Sequence, residues 1–552
     1  MTADLEERAA GAPAADRPRR RWVVPLLVLV LLGQMAAVMV TTAVQQTPTI
    51  DEPVYVGTAV TYLEQRTVRY NPEHPPLGKQ FMALGLAFAS PRLDPAFRGD
   101  QTALGRHVLY GAGNDPYELM FLARLPIIIL TLLFGLVVFA FARDLTGAAG
   151  GVLALTLYAF SPDVITHGSL ATLDVPAIGF LLTAVWLTWR ARDRDRPLLY
   201  LPLAGVALGA AIATRMSALP AVPVVLLLAL LATSAWQRGV PVRERLRGLA
   251  VVAGVGVAAV LVVWLSYLAV DPGLRWTAPS GTPVVHGVRG LLTAWLPLPE
   301  SYRDGMRIQF GFEDSTFSGF LFGRHYQGSL WYYLPAALLV KTPLGMLVLW
   351  LAGAVAMLTL PRLRAAVPYL LVPPALLLAV AMTGARDFGT RYAIFMPIFL
   401  AVAAAAVVAV RWRWAHVTAA VLVAFVAVSS VRTFPYYLPY SNEAFGGPAR
   451  THLRLHDSNA DWGQDLGRLA DRLREEYPGE PVWLVYKGAG VPDAYGIHAR
   501  DPLRVPADEV HGLLVVSDSS IAKATGRLAA LLGTSGQPID EVGHSISIYR
   551  RP

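Results

Sequence analysis

In the stretch TPTIDEPVYVGTAVTYLEQRTVRYNPEHPPLGKQ (47–80), two acids, Asp51 and Glu52, are adjacent, and Glu73 and His74 follow further along. A third acid, Asp174, stands in ATLDVP. Carboxylates at a partly dry surface are suited to accept protons, because burial and like-charged neighbours raise their pKa towards working pH. Four cations lie within or at the edge of apolar runs: Arg124 in LARLP, Arg215 in ATRMS, Lys341 in LVKTP and Arg391 in GTRYA. A cation at the centre of a bilayer costs about 2.5–3.5 kcal/mol even on the mild insertion scale, so such residues usually face an internal cavity. Each alone is also compatible with snorkelling to the interface. Together they suggest a shared anion, and a phosphate at lipid-headgroup depth suits the arginine fork. For Asp51 the plainer alternative is a helix cap, with Pro53 in the first turn.

These residues need elements to hold them at one level. The chain has 552 residues, 54% hydrophobic and only 16% charged, whereas a soluble chain carries about a quarter charged residues. Uncharged apolar runs of about 17–25 residues recur, the length that crosses a bilayer. This pattern predicts an all-α polytopic membrane protein. Cysteine is absent, which excludes disulfides, thiolate metal sites and a cysteine nucleophile. The net charge of +8 does not point to nucleic acid, because the arginines cluster in short loops and read as orientation signals.

Five basic clusters set the topology: RPRRRW before the run Trp22–Val44, RARDRDRP (190–197), QRGVPVRERLRG (237–248), PRLR (361–364) and RWRW (411–414). With all five on the cytoplasmic side of a bacterial plasma membrane, each gap contains an even number of crossings. Spans are then expected at 22–44, 121–142, 150–166, 175–189, twice within 198–236, and at 249–269, 331–359, 366–383, 391–410 and 415–431. That makes eleven, with LGKQFMALGLAFAS (77–90) lying at the interface. Residues 1–21 read as a disordered cytoplasmic tail and 22–433 as the membrane domain. Residues 434–552 read as a small extracytoplasmic α/β domain. Its expected strands are PVWLVYKG, GLLVVSD and SISIYR; its expected helices are DLGRLADRLREE and IAKATGRLAALLG. The external face then carries the 45–120 loop, HGSLATLDVP, the 270–330 loop and TGARDFGTRY.

Weaker signals sit beside these. In DSNADWGQD (457–465), Asp457 and Asp461 read as caps of a helix starting near Trp462; the other reading gives the acids contact with an acceptor or metal and stacks Trp462 on a sugar. Aromatics in FGRHYQGSLWYYLP fit an interfacial belt. His286, His452 and His456 are isolated and lack a metal-ligand spacing. No phosphate-binding glycine loop precedes a helix.

IDEPVYVGTAVTYLEQRTVRYNPEHPPLGK resembles the first external loop of the protein O-mannosyltransferases and their bacterial relatives in glycosyltransferase family 39, which carry an Asp-Glu pair after the first helix and an HPPLGK element. FGGPARTHLRLHDSNADWGQDLGRL is similar to a segment of bacterial phospholipid-carrier-dependent members. FLARLP, ATLDVP, GSLWYYLPAALLVKTPLGMLVL and GTRYAIFMP extend the likeness over about 22–470. The resemblance implies a GT-C fold and transfer of a sugar from a polyprenyl-phosphate carrier to an acceptor glycan, lipid or exported protein. It implies Asp51 as base, Glu52 as its support, Asp174 as second acid, and Arg124 and Arg391 on the donor phosphate, with Lys341 and Arg215 as further cations. Aminoarabinose transferases, a related branch, have Glu-Lys-Pro where this chain has Glu73-His74-Pro75. His74 therefore stands in the place of a phosphate-binding lysine, a contact that requires its protonation, and a metal at Glu73 has no support. No cofactor is required: inverting displacement of a phosphate-linked sugar needs a base and fixed positive charge. The alternative is a transporter or flippase of lipid-linked sugar, although such proteins usually place ionisable groups near the midplane and carry repeated halves. A structural or receptor protein is the third class.

Overall fold

The computed structural model describes residues 22–192, 197–233 and 239–552; the expected tail, 1–21, lies outside them. The first apolar run forms α1 (Val23–Gln45). After an extended passage the chain re-enters helix at α2 (Glu52–Glu64), with Pro53 in the first turn. α3 (Leu77–Leu86) and α4 (Gln101–Arg106) complete the first loop. α5 (Pro116–Ala159) begins at Asp115, whose side chain accepts from the Tyr117 and Glu118 N–H groups. Gly147 breaks it with φ 78° and ψ −171°, a conformation open to glycine but not to residues with a Cβ. The second arm stops at Ala159 rather than the expected 166, because Ser161 caps a new short helix, α6 (Pro162–Gly168), with Pro162 in its first turn.

α7 (Asp174–Arg190), α8 (Pro197–Thr214), α9 (Val222–Ala232) and α10 (Val242–Val270) follow. The next loop folds into α11 (Gly287–Trp295), α12 (Glu300–Glu313) and an antiparallel hairpin of β1 (Ser318–Leu321) and β2 (Arg324–Gln327). The expected single span 331–359 is instead α13 (Tyr333–Lys341) and α14 (Leu344–Thr359), bent by 117°. Thr342 is extended there, as a residue before proline tends to be. α15 (Val367–Leu370), α16 (Val372–Ala381), α17 (Phe395–Ala404) and α18 (Ala415–Thr433) complete the apolar part. Among the described residues, five helices are long and apolar enough to cross a membrane, or six if the bent pair counts as one span. Shorter apolar helices, Leu199–Thr214, Met216–Ala232 and Phe395–Ala409, lie where further crossings were expected. The chain is a multi-pass membrane protein.

After α18 come α19 (Leu466–Glu476), β3 (Val482–Val485), β4 (Gly512–Ser517), α20 (Asp518–Ala522), α21 (Gly526–Thr534), β5 (Asp540–Val542) and β6 (Ile546–Arg551). The strands form one sheet in the order β3-β4-β6-β5, parallel only between β3 and β4. Side chains alternate faces along a strand. Leu513, Val515, Ile546 and Ile548 pack with Leu466, Leu469 and Leu473 of α19, while Trp483, Leu514, Val516 and Tyr549 pack with Leu528 and Leu531 of α21. The expected single helix in IAKATGRLAALLG is two, α20 and α21.

A backbone seam joins this region to the first loop. The Thr47 N–H donates to the Gln464 carbonyl and the Ile50 N–H to the Trp462 carbonyl, each at 3.0 Å. The Leu466 N–H returns to Thr47 Oγ1 at 3.1 Å. The residue preceding Asp51 is thus anchored by a segment more than 400 positions away.

Candidate active site

Glu52 is fully buried. Its Oε2 accepts from the Thr49 N–H at 2.9 Å, Thr49 Oγ1 at 3.0 Å and Arg124 Nη2 at 2.6 Å; Oε1 accepts from Arg124 Nε at 2.7 Å and the Ala171 N–H at 2.8 Å. Burial opposes its ionisation, but the Arg124 charge and these hydrogen bonds outweigh it and hold the carboxyl below its ordinary pKa. Arg124 completes its fork on the carbonyls of Ala43 at 2.6 Å, Gln46 at 2.8 Å and Thr47 at 3.2 Å. A guanidinium has five N–H donors, and every one is occupied by protein. The expectation that Arg124 binds a donor phosphate therefore fails on donor count. The expectation that Glu52 acts in the chemistry fails on access. The pair ties α5 to the end of α1, the start of α2 and the loop before α7.

Asp51 is placed differently. It occupies the cap position of α2 but its side chain makes no cap bond; instead Oδ2 accepts from Arg391 Nη1 at 2.5 Å. Its side chain is 28% exposed against 7% for Arg391. The Arg391 guanidinium lies 4.4 Å from the centre of the Trp462 ring and 5.0 Å from that of Tyr392. Asp174, in the first turn of α7, is ion-paired with Arg215. Arg386, which the sequence reading passed over, pairs with Glu313 at 2.7 Å and receives support from Gln309 Oε1 at 2.9 Å.

One ring gathers these groups. The guanidinium carbons of Arg391, Arg215 and Arg386 lie 5.0, 5.7 and 5.9 Å from the Tyr392 centroid. Each arginine has one carboxylate partner: Asp51, Asp174 and Glu313 in turn. The Nε atoms of Arg386 and Arg391 are buried without a hydrogen-bond partner, as is Nδ1 of His74. Buried donors usually have an acceptor, so the two arginines keep donor capacity open at this cluster. His74 packs edge-on against Tyr55 with ring centres 5.6 Å apart. Burial, reinforced by the charges of Arg215, Lys79, Arg386 and Arg391, holds its pKa well below the ordinary histidine value. With no anion bound, these effects favour the neutral imidazole over the protonated form that the phosphate contact expected from the sequence requires.

Other sequence candidates serve as braces. Lys341 is buried, and its Nζ donates to the carbonyls of Leu438 at 2.5 Å and Asn459 at 2.8 Å; these bonds hold the segment after α18 against α13. Glu73 accepts from Gln101 Nε2 at 2.6 Å. Lys79 of HPPLGK is fully buried and donates to Asn71 O at 2.9 Å, Asn71 Oδ1 at 3.0 Å and His74 O at 2.7 Å, fixing the bend that presents His74. Neither Asp457 nor Asp461 caps a helix near Trp462, since α19 starts at Leu466. Asp457 is ion-paired with Lys487; although burial opposes ionisation, that charge leads in pulling its pKa down to about 2. Asp461 accepts from the Ser519 and Gly463 N–H groups, and burial pushes it up to about 7. Trp462 is 1% exposed with Arg391 over its ring, so it has no open face for a sugar.

The signal for Arg386 was present in TGARDFGTRY, five positions before Arg391. Which side-chain oxygen each arginine reaches is a long-range matter that no local spacing encodes.

Comparison with known proteins bears on this arrangement. Residues 28–271 match the model of the dolichyl-phosphate-mannose-protein mannosyltransferase family, a stretch that holds Asp51, Glu52, His74, Arg124, Asp174 and Arg215. A comparison with curated proteins returns no match. Among solved structures, the chain is similar to ArnT from Cupriavidus metallidurans bound to undecaprenyl phosphate, with 15% identity and a TM-score of 0.49 over 95% of this chain and 97% of that one. It is also similar to AglB, the archaeal oligosaccharyltransferase from Archaeoglobus fulgidus, in complex with an inhibitory peptide and a dolichol-phosphate, at 13% identity, TM-score 0.44, over 90% and 70% of the two chains. The S. cerevisiae protein O-mannosyltransferase Pmt1-Pmt2 complex bound to the sugar donor matches at 18% identity and TM-score 0.35 over 45% of this chain and 33% of that one. The family match thus runs from within α1 to the end of α10 and takes in Asp51, Glu52, Asp174, Arg124 and Arg215, while Arg386, Arg391 and Lys341 lie beyond it.

Proposed function

We propose that this protein transfers a sugar from a polyprenyl-phosphate carrier to an acceptor at the external membrane face, with inversion and with Asp51 as general base. The observation that supports this most directly is the convergence of Arg215, Arg386 and Arg391 on Tyr392, with unpaired Nε donors beside a partly exposed carboxylate. In the reaction, Asp51 takes the proton of the acceptor hydroxyl as its oxygen attacks the anomeric carbon. The bond from that carbon to the phosphate oxygen breaks, and the carrier phosphate leaves as an anion. Fixed guanidinium groups stabilise that developing charge without reorganising. Donor phosphate competes for Arg391, so its arrival loosens the Asp51 ion pair and releases the base when it is needed. Asp174 keeps Arg215 in place, while Glu52, Arg124 and Lys341 set the scaffold. His74 offers a neutral imidazole to the same anion.

In this reading the membrane part, 22–433, crosses eleven times, with the N-terminus cytoplasmic and 434–552 outside. The acceptor is a glycan, a lipid or an exported protein. The test uses full-length protein in detergent. Asp51→Asn should abolish transfer of labelled sugar from a polyprenyl-phosphate sugar fraction while binding of undecaprenyl phosphate persists. Full transfer by Asp51→Asn removes Asp51 from the mechanism. Movement of labelled donor across a vesicle without a new glycosidic bond makes the protein a transporter.

A further inference from the structure

Far along the chain from the arginine cluster, the fold brings together side chains that the sequence scatters. His452 lies in the short turn Pro448–Leu453, Asp518 opens α20 after β4, and Glu541 is in β5. One ligand atom from each lies within 4.8 Å of the others. His452 Nδ1 and Asp518 Oδ2 are 3.5 Å apart, beyond a direct hydrogen bond. Among the described residues, both atoms are buried without a hydrogen-bond partner. The Asp518 side chain is 0% exposed. Its other oxygen, Oδ1, accepts from Ser547 Oγ at 2.7 Å, which fixes the rotamer and aims Oδ2 at His452. His544 Nδ1 lies 3.1 Å from Glu541 Oε1 and steadies that carboxylate from outside.

We propose that His452, Asp518 and Glu541 form a divalent-metal site for a zinc-class ion. Imidazole nitrogen with carboxylate oxygen is a donor set that zinc accepts in tetrahedral geometry. Bonds of about 2.0–2.2 Å place neighbouring ligand atoms about 3.4 Å apart, which the His452–Asp518 separation matches. A carboxylate oriented by a hydroxyl and a second one steadied by a histidine are the outer-shell supports such sites use. Glu541 also lines a cleft of about 390 Å³ together with His544, Tyr436, Arg468 and Arg472, so one of the three ligands faces open space. The site is separate from the proposed transfer chemistry: none of its residues contacts Tyr392 or its arginines. Metal at this place ties the turn after α18 to the sheet, a structural task.

The experiment uses the full chain in detergent, stripped with chelator, checked for its metal-free melting temperature and titrated calorimetrically with Zn²⁺ alone. Wild type should take up one ion per chain and gain melting temperature from it. Glu541→Gln and His452→Gln alter partly exposed side chains (33% and 24%). Each should keep the metal-free melting temperature, weaken Zn²⁺ binding at least tenfold and lose the thermal gain. No saturable uptake by wild type overturns the proposal, as does unchanged affinity in both variants.

Discussion

Glu52→Gln separates scaffold from chemistry. Glu52 accepts five hydrogen bonds, two at Oε1 and three at Oε2, from Thr49, Arg124 and Ala171. A glutamine amide keeps one acceptor and turns its NH₂ towards at least two donors, one of them charged. A hydrogen bond to a charged group is worth about 1.5–3 kcal/mol, and breaking one partner of a buried ion pair costs about 3–5 kcal/mol because the remaining charge loses its compensation. The stranded charge is the larger of the two and sets the expected loss for Glu52→Gln, about 3–5 kcal/mol. Replacing both partners, as in Glu52→Leu with Arg124→Met, removes the stranded charge and should recover more than half of that loss. The assay is thermal unfolding in one detergent of wild type, Glu52→Leu, Arg124→Met and the double variant as a double-mutant cycle, with Glu52→Gln measured beside them. A Glu52→Gln protein with wild-type stability and no transfer activity refutes the reasoning and puts Glu52 in the reaction.

Three further outcomes are expected. Arg391→Lys keeps the charge but loses the planar fork and its place over Trp462, so undecaprenyl phosphate binding should weaken about tenfold, a loss near 1.4 kcal/mol; unchanged binding by titration refutes a phosphate role. Lys341→Met should lower folded yield and melting temperature, since Nζ holds two carbonyls, while the surviving protein binds undecaprenyl phosphate as wild type does. His456 is fully buried, and that burial lowers its pKa to about 3. The unfolded chain takes up a proton below about 6.5 that the folded chain refuses, so stability should fall as pH drops from about 6.5 to about 3, by roughly 2.7 kcal/mol at two units below the unfolded value. His456→Leu should flatten that part of the melting-temperature profile between pH 7 and 4.5.

The apolar runs, the turn residues and the alternating strands made most elements legible, and Gly147 and Pro343 show why boundaries moved. A 21-residue apolar window does not reveal a fold-back at one glycine or a 117° bend before a proline. Asp51, Asp174, Arg215 and Arg391 were legible as candidates, while Arg386 and Glu313 were not. The pairing was not legible either. Arg124 and Arg391 look equivalent in sequence, yet one exhausts its donors on protein and the other keeps Nε open. Hydropathy reports where a cation sits and is silent about which oxygens meet it. The same holds for His452, Asp518 and Glu541, whose proximity comes from sheet order and the turn after α18.

The seam between Thr47–Ile50 and Trp462–Gln464 has a temporal meaning. During synthesis the loop bearing Asp51 emerges long before the stretch that will seat it, so that carboxylate has no fixed address until most of the polypeptide has been made. A truncated product carries every acid and guanidinium of the chamber but lacks the backbone partners that hold Ile50.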